Sequence, residues 1–112
     1  MKFLLNVYVT AAAPPGEGLD HERILATAAR SGELISGHAL ADPSIGAFVR
    51  VRDGVVEVNE GPYLQALHHV AGQYLLDCDS RERAIELAGL MAGGHAWGVE
   101  VRALMDTAGL EM

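Results

Sequence analysis

Cysteine is nearly absent from this chain of 112 residues: Cys78 stands alone. One thiol excludes an intramolecular disulfide, so the fold must rest on its core, and a reducing, cytoplasmic setting is expected. Basic residues are scarce, with eight Lys and Arg against fifteen Asp and Glu, a net charge of −7 with histidines neutral. That balance argues against sequence-independent binding to nucleic acid, which needs a basic face. Aromatics make up only 5% of the residues, too few for a stacking ladder along a single strand. No apolar run approaches the about 18 residues of a membrane helix, so no membrane partner is expected. The opening stretch Met1 to Val9 is broken by Asn6, has no basic residue beyond Lys2, and gives way to Pro14-Pro15. It reads as a buried strand rather than a signal peptide. There is no Gly-x-Ser-x-Gly elbow, no dinucleotide motif, and Gly93-Gly94 follows a helix instead of opening one. No cofactor is implied.

What is present is half apolar, enough for one core. A single domain spanning 1–112 is expected, with a mobile tail at 107–112. Residues 3–9 predict a strand. Asp20 is placed to cap a helix carrying Ile24, Leu25, Ala28 and Ala29 on its apolar face, and Gly32 stops it. Residues 34–40 predict a second strand and residues 71–78 another. A second helix is expected from a cap at Asp79 with Glu82 three residues on, burying Ala84, Ile85, Leu87, Ala88 and Met91. Residues 97–105 predict the last strand.

Asp53-Gly54 is the sharpest local signal, because a two-residue type I′ turn needs φ > 0 at both positions. That turn pairs Val51 with Val56, Val49 with Val58 and Arg50 with Glu57. One face of the hairpin then carries four valines, which are expected to be buried by the chain's own helices or by a partner. The order β-α-β-hairpin-β-α-β predicts an α+β, ferredoxin-like subunit, an antiparallel sheet with two helices on one face. The other face lacks a third helix to cover it. A second subunit packed sheet to sheet is the simplest cover, so a homodimer is expected.

Several ordered blocks carry a family resemblance. Val51-Arg52-Asp53-Gly54 is followed by Glu60-Gly61-Pro62-Tyr63, then Gly72-Gln73-Tyr74-Leu75-Leu76, Asp77-Cys78-Asp79 and Val99-Glu100-Val101-Arg102. From Phe48 to Asp106 the chain resembles the YCII-related (DGPF) family, and Met1 to Leu5 looks like that family's first strand. The resemblance implies a dimeric α+β barrel of ferredoxin-like subunits and no defined activity, although an acid/base His–Asp pair has been suggested among YCII-like proteins. His21 falls within one position of where a YCII-like histidine would lie. Two departures stand out: the signature Asp is Glu60 and the signature Phe is Tyr63. The segment after the signature, usually polar, is here Leu64-Gln65-Ala66-Leu67-His68-His69.

Five histidines supply groups that titrate near neutral pH. His38, near a strand end, Tyr63 and His68 are the candidate catalytic residues: an imidazole to move a proton, a phenol to steady an oxyanion. Glu60, His69, Arg50 and Tyr74 are candidate substrate-binding residues. Arg50 is equally read as the cross-strand partner of Glu57, and Glu60 as a turn carboxylate. His21 reads as an exposed first-turn residue three times more readily than as a base. Adjacent His68 and His69 point to opposite faces if extended, so no metal site is expected. Three functions stay open: a cofactor-free isomerase or lyase for a small organic acid, aromatic acids included; a non-catalytic homodimer that binds a small-molecule metabolite or regulates a partner; or a purely structural homodimer.

Overall fold

The computed structural model describes residues 1–11, 19–61, 67–92 and 96–105. Its elements are β1 (Lys2–Thr10), α1 (His21–Arg30), β2 (Leu34–Ala39), a 3-10 turn (Pro43–Ile45), β3 (Ala47–Arg52), β4 (Val55–Glu60), β5 (His68–Asp77), α2 (Arg81–Met91) and β6 (Gly98–Ala103). Four strands form an antiparallel sheet in the order β2-β5-β1-β6, and β3-β4 form a separate ribbon. This α+β order is compatible with a ferredoxin-like fold. Among the described residues, no helix is long and apolar enough to cross a membrane. Tyr63, His95, Gly93-Gly94 and the expected tail lie outside the described residues.

Strand alternation decides which side chains enter the core. Along β1, Phe3, Leu5, Val7 and Val9 are buried. Leu5 pairs with Tyr74 and Phe3 with Leu76, so the inward face of β5 matches that of β1. Ile24 and Ala28 of α1, and Ala84, Leu87, Ala88 and Met91 of α2, close over this face in one cluster. Both helices therefore share one side of the sheet. A bulge between Val7 and Tyr8 leaves Ala71 unpaired in β5, and the Ala71 carbonyl accepts from the Leu40 N–H at 2.8 Å.

The helix caps bear out one expectation and correct another. Asp20 caps α1 by accepting from the Arg23 N–H, and Gly32 follows the helix at φ +77°. The cap of α2 is Ser80, one residue later than the expected Asp79, because the Ser80 hydroxyl reaches the Arg83 N–H. The buried stripe of α2 is Ala84, Leu87, Ala88 and Met91, and Ile85 falls beside it, 44% exposed instead of buried. Two arginines then lock the helices in place. Arg23 donates to the carbonyls of Leu90 and Met91 at the end of α2. Arg83 donates to both carboxylate oxygens of Glu33 and holds that acid below the usual carboxylate range. Beside them Cys78 is buried. Burial, and next the Glu33 charge, push its thiol up, so it is no reactive thiolate.

The hairpin has the expected register: Arg52 opposite Val55, Val51 opposite Val56, Arg50 opposite Glu57. Asp53 (φ 52°) and Gly54 (φ 78°) make the turn. The chain's own helices do not bury the valine face. Val49, Val51, Val56 and Val58 are 55–67% exposed, because the ribbon stands off the sheet as its own two-stranded element. The radius of gyration, 15.9 Å, exceeds the about 13 Å of a compact chain this long, as a projecting arm requires.

Close packing around Gly37 supplies a test. A Cβ there would lie 2.6 Å from Tyr74 Cδ1 and 2.8 Å from Leu25 Cδ2. Gly37→Ala is expected to lower stability by about 1–3 kcal/mol in urea titration. A wild-type midpoint would show that the Tyr74 ring does not fill that space.

Candidate functional site

Tyr74 reaches its place because two strands give way to it. Its ring is fully buried and crosses positions 37 and 72, both glycine. A Cβ at Gly72 would meet Tyr74 Cε2 at 2.9 Å and its hydroxyl at 3.0 Å. Leu19 closes the same spot from the chain entering α1, its Cδ1 only 3.2 Å from where that Cβ would lie. The phenol thus emerges at the end of the sheet where α1 begins. There it meets His21, the first residue of α1, with the hydroxyl 2.7 Å from Nδ1 and the rings tilted at 37°.

Electrostatics fixes the roles within this pair. Burial raises the Tyr74 phenol to about 12. It therefore keeps its proton at neutral pH, and it either donates to Nδ1 or accepts from Nδ1–H, according to the His21 tautomer. Where the phenol donates, His21 carries its proton on Nε2. Half-buried His21 then offers an N–H to an incoming oxygen. If the hydroxyl rotates to accept from Nδ1–H, Nε2 is left with a lone pair that can take a proton. One contact therefore supports either a donor or a base.

The other candidates are dispersed. His69 pairs with Val9 on the helix-covered face and lies near Asp42. The Asp42 carboxyl is lowered first by the Ser44 backbone N–H, 2.9 Å away, with a smaller contribution from His69. His68 pairs with Thr10 on the opposite face and stacks on Trp97 at 3.7 Å between ring centroids. Tyr8 meets the same Trp97 edge-on. His38 is exposed and pairs with Gln73, also on the face away from the helices. His38 and His68 thus do not converge with His69 and Tyr74. Arg50 is bound to Glu57 at 3.2 Å on the hairpin, as the cross-strand reading has it, and Glu60 is exposed at the hairpin's end. Tyr63 lies outside the described residues. Among the described residues no group of three or more His, Cys, Asp or Glu is placed to hold a metal ion.

The uncovered face carries a second ordered feature. His38, Gln73, Asn6 and Glu100 stand in one row across all four strands. Gln73 donates to Asn6 Oδ1 at 3.1 Å and Asn6 donates to Glu100 Oε1 at 2.9 Å. Asn6 is only 6% exposed, although no helix covers it.

His21 is the residue that sequence reasoning undervalued. Its signal was the Asp20 cap, which fixes His21 at the first position of α1. Its partner was not readable, because 53 residues separate it from Tyr74. No family model matches the chain, and no curated protein matches it.

The buried phenol has a direct consequence for stability. A pKa raised from 10 to about 12 on folding means that the native state holds a proton the unfolded state releases. That contribution is complete below pH 10 and is lost as pH rises through 12. Its size is at most about 3 kcal/mol. Unfolding titrations at pH 9, 10, 11 and 12 are expected to show this loss, and Tyr74→Phe to abolish it. An equal loss in both proteins would mean that Tyr74 is not the group responsible.

Proposed function

We propose that this protein is a cofactor-free acid/base catalyst of isomerase or lyase type, working on a small organic acid, aromatic acids included, within a homodimer of YCII-related, α+β barrel type. The observation that carries the reading is the 2.7 Å contact between the Tyr74 hydroxyl and His21 Nδ1. A buried phenol behind an imidazole is the arrangement in which a proton can move on and off Nε2 while Nδ1 stays hydrogen-bonded. When Nε2 takes a substrate proton, the imidazolium donates from Nδ1 to the phenol oxygen. When Nε2 gives the proton back, Nδ1 keeps its own and still donates to the phenol oxygen. His69, on the same face, is the residue we assign to the acid's carboxylate. The homodimer is supported by the sheet's second face, which has no cover among the described elements of its own chain.

A binding role without turnover is the second reading, and it corresponds to the tautomer in which the phenol donates to Nδ1. A neutral His21 with Nε2–H holds a carboxylate oxygen but does not accept a proton.

A panel of small aromatic and aliphatic carboxylates, scored by thermal shift and by turnover, separates the readings. A ligand that stabilises the wild type but not His21→Ala supports the site. Turnover that falls about 100-fold or more in His21→Ala, with an unchanged far-UV spectrum, supports the enzyme. Stabilisation without turnover supports the binder. A panel with neither effect overturns both.

A further inference from the structure

We propose that the β3–β4 hairpin is a dimerisation arm whose valine face docks against Trp97 of a second copy of this chain; this rests on the homodimer reading and specifies where its arm must lie. The hairpin is amphipathic by construction. Arg50 and Arg52 both reach Glu57 on one face, at 3.2 and 3.6 Å, which keeps that face in water. The other face holds four exposed valines, with Ala47 and the Glu60 carboxylate only at its root. A lone two-stranded ribbon is marginal in water, so a built apolar face of this kind calls for a cover.

The strand order names the place. In the sheet β2-β5-β1-β6, a two-fold axis running along the strands lays β2 over the partner's β6 and β5 over the partner's β1. The polar row then matches itself in reverse. His38 comes over the partner's Glu100 and Gln73 over the partner's Asn6, so an imidazole faces a carboxylate at each end. Among the described residues no buried side-chain nitrogen or oxygen lacks a hydrogen-bond partner. At the centre of the row Asn6 and Gln73 are already bonded, and at its exposed ends His38 and Glu100 are the groups a second copy pairs.

The hairpin is rooted at the end of β2, since β2 stops at Ala39 and β3 starts at Ala47. The same axis brings that end beside the start of the partner's β6. Trp97 precedes β6, is 62% exposed, and is held in place by His68 and Tyr8. Area favours this docking over one arm on the other. Four valines offer roughly 300 Å² at the usual area of such side chains. Two arms clasped valine to valine would bury roughly 600 Å², short of the about 1,200 Å² of a stable specific interface. Two arms each laid on the partner's body bury roughly twice as much, in addition to the sheet contact. The net charge of −7 makes an anionic surface a poor alternative occupant.

Trp97 is the chain's one tryptophan, so its fluorescence reports the contact. Sedimentation and tryptophan emission are measured together over a dilution series of the full chain. Wild type is expected to dimerise with a blue shift of Trp97 emission on association. Val51→Glu is expected to weaken the dimer by about tenfold or more, as an uncompensated charge in an apolar contact does, and to remove the blue shift. Because the ribbon does not pack on its own sheet, Val51→Glu should keep the monomer's melting temperature. Trp97→Ala should weaken the dimer likewise. A wild-type monomer at all concentrations overturns the homodimer and the arm together. A wild-type dimer that Val51→Glu leaves unchanged overturns the arm alone. Rapid self-linking of Val51→Cys under oxidation, giving a disulfide between two arms, overturns the docking on Trp97, since Cys78 is buried and takes no part.

Discussion

The structure turns on one buried ring. Tyr74 needs space at positions 37 and 72, and two strands supply it by carrying glycine there. A side chain at either position would push the ring out, and with it the hydroxyl that meets His21. The ring fills the space between sheet and helix layer as a large apolar residue, while its hydroxyl finds a partner at the margin of the core. Stability and chemistry are therefore tied at this residue. The burial that makes Tyr74 part of the core is also what holds its phenol protonated.

Local chemistry was legible in the sequence wherever it was set by neighbouring residues. Asp53-Gly54 fixed the hairpin register down to the Arg50–Glu57 pair, because the turn geometry leaves no other pairing. Asp20 fixed the start of α1 in the same way. Ser80 displaced Asp79 as the second cap, since both residues are good caps and only the backbone path decides between them. The start of β5 at His68 was hidden because Leu67-His68-His69 has no strand periodicity of its own; β1, long enough to pair through Thr10, draws it into the sheet.

The candidate site was legible by residue type and not by arrangement. Tyr74 was singled out, but as a substrate contact; the structure makes it a buried partner of His21. His38 and His68 are on strands, as expected for one and not for the other. Their register sends both to the face opposite Tyr74. A one-residue change in strand parity moves a side chain through the sheet, and in β5 the Ala71 bulge shifts that parity midway. No local pattern in Val70-Ala71-Gly72 announces the bulge. That is why adjacent His68 and His69 could be assigned to opposite faces, while neither could be assigned to the right one.

The two faces of the sheet answer different demands. The helix-covered face is apolar except at its margin, where His21 meets the Tyr74 hydroxyl; His69 lies on the same face, near Asp42. The other face has a polar row at its centre, and its amides bind one another instead of relying on water. On a permanently wet face such pairing gains little, because water satisfies an amide as well as a neighbour does. Under a second layer the same bonds become necessary, since an unpaired buried amide costs about 1–3 kcal/mol. Asn6 is already closed in by its neighbours to 6% exposure. A face whose central amides are bonded before anything covers it loses less on being covered, while its exposed ends, His38 and Glu100, need a partner there; its apolar surroundings at Leu4, Leu75 and Tyr8 then supply the attraction. The exposed hairpin valines fit the same logic: their register gathers Val49, Val51, Val56 and Val58 on one side and Arg50, Arg52 and Glu57 on the other, and such sorting has a physical purpose only where one side is dry.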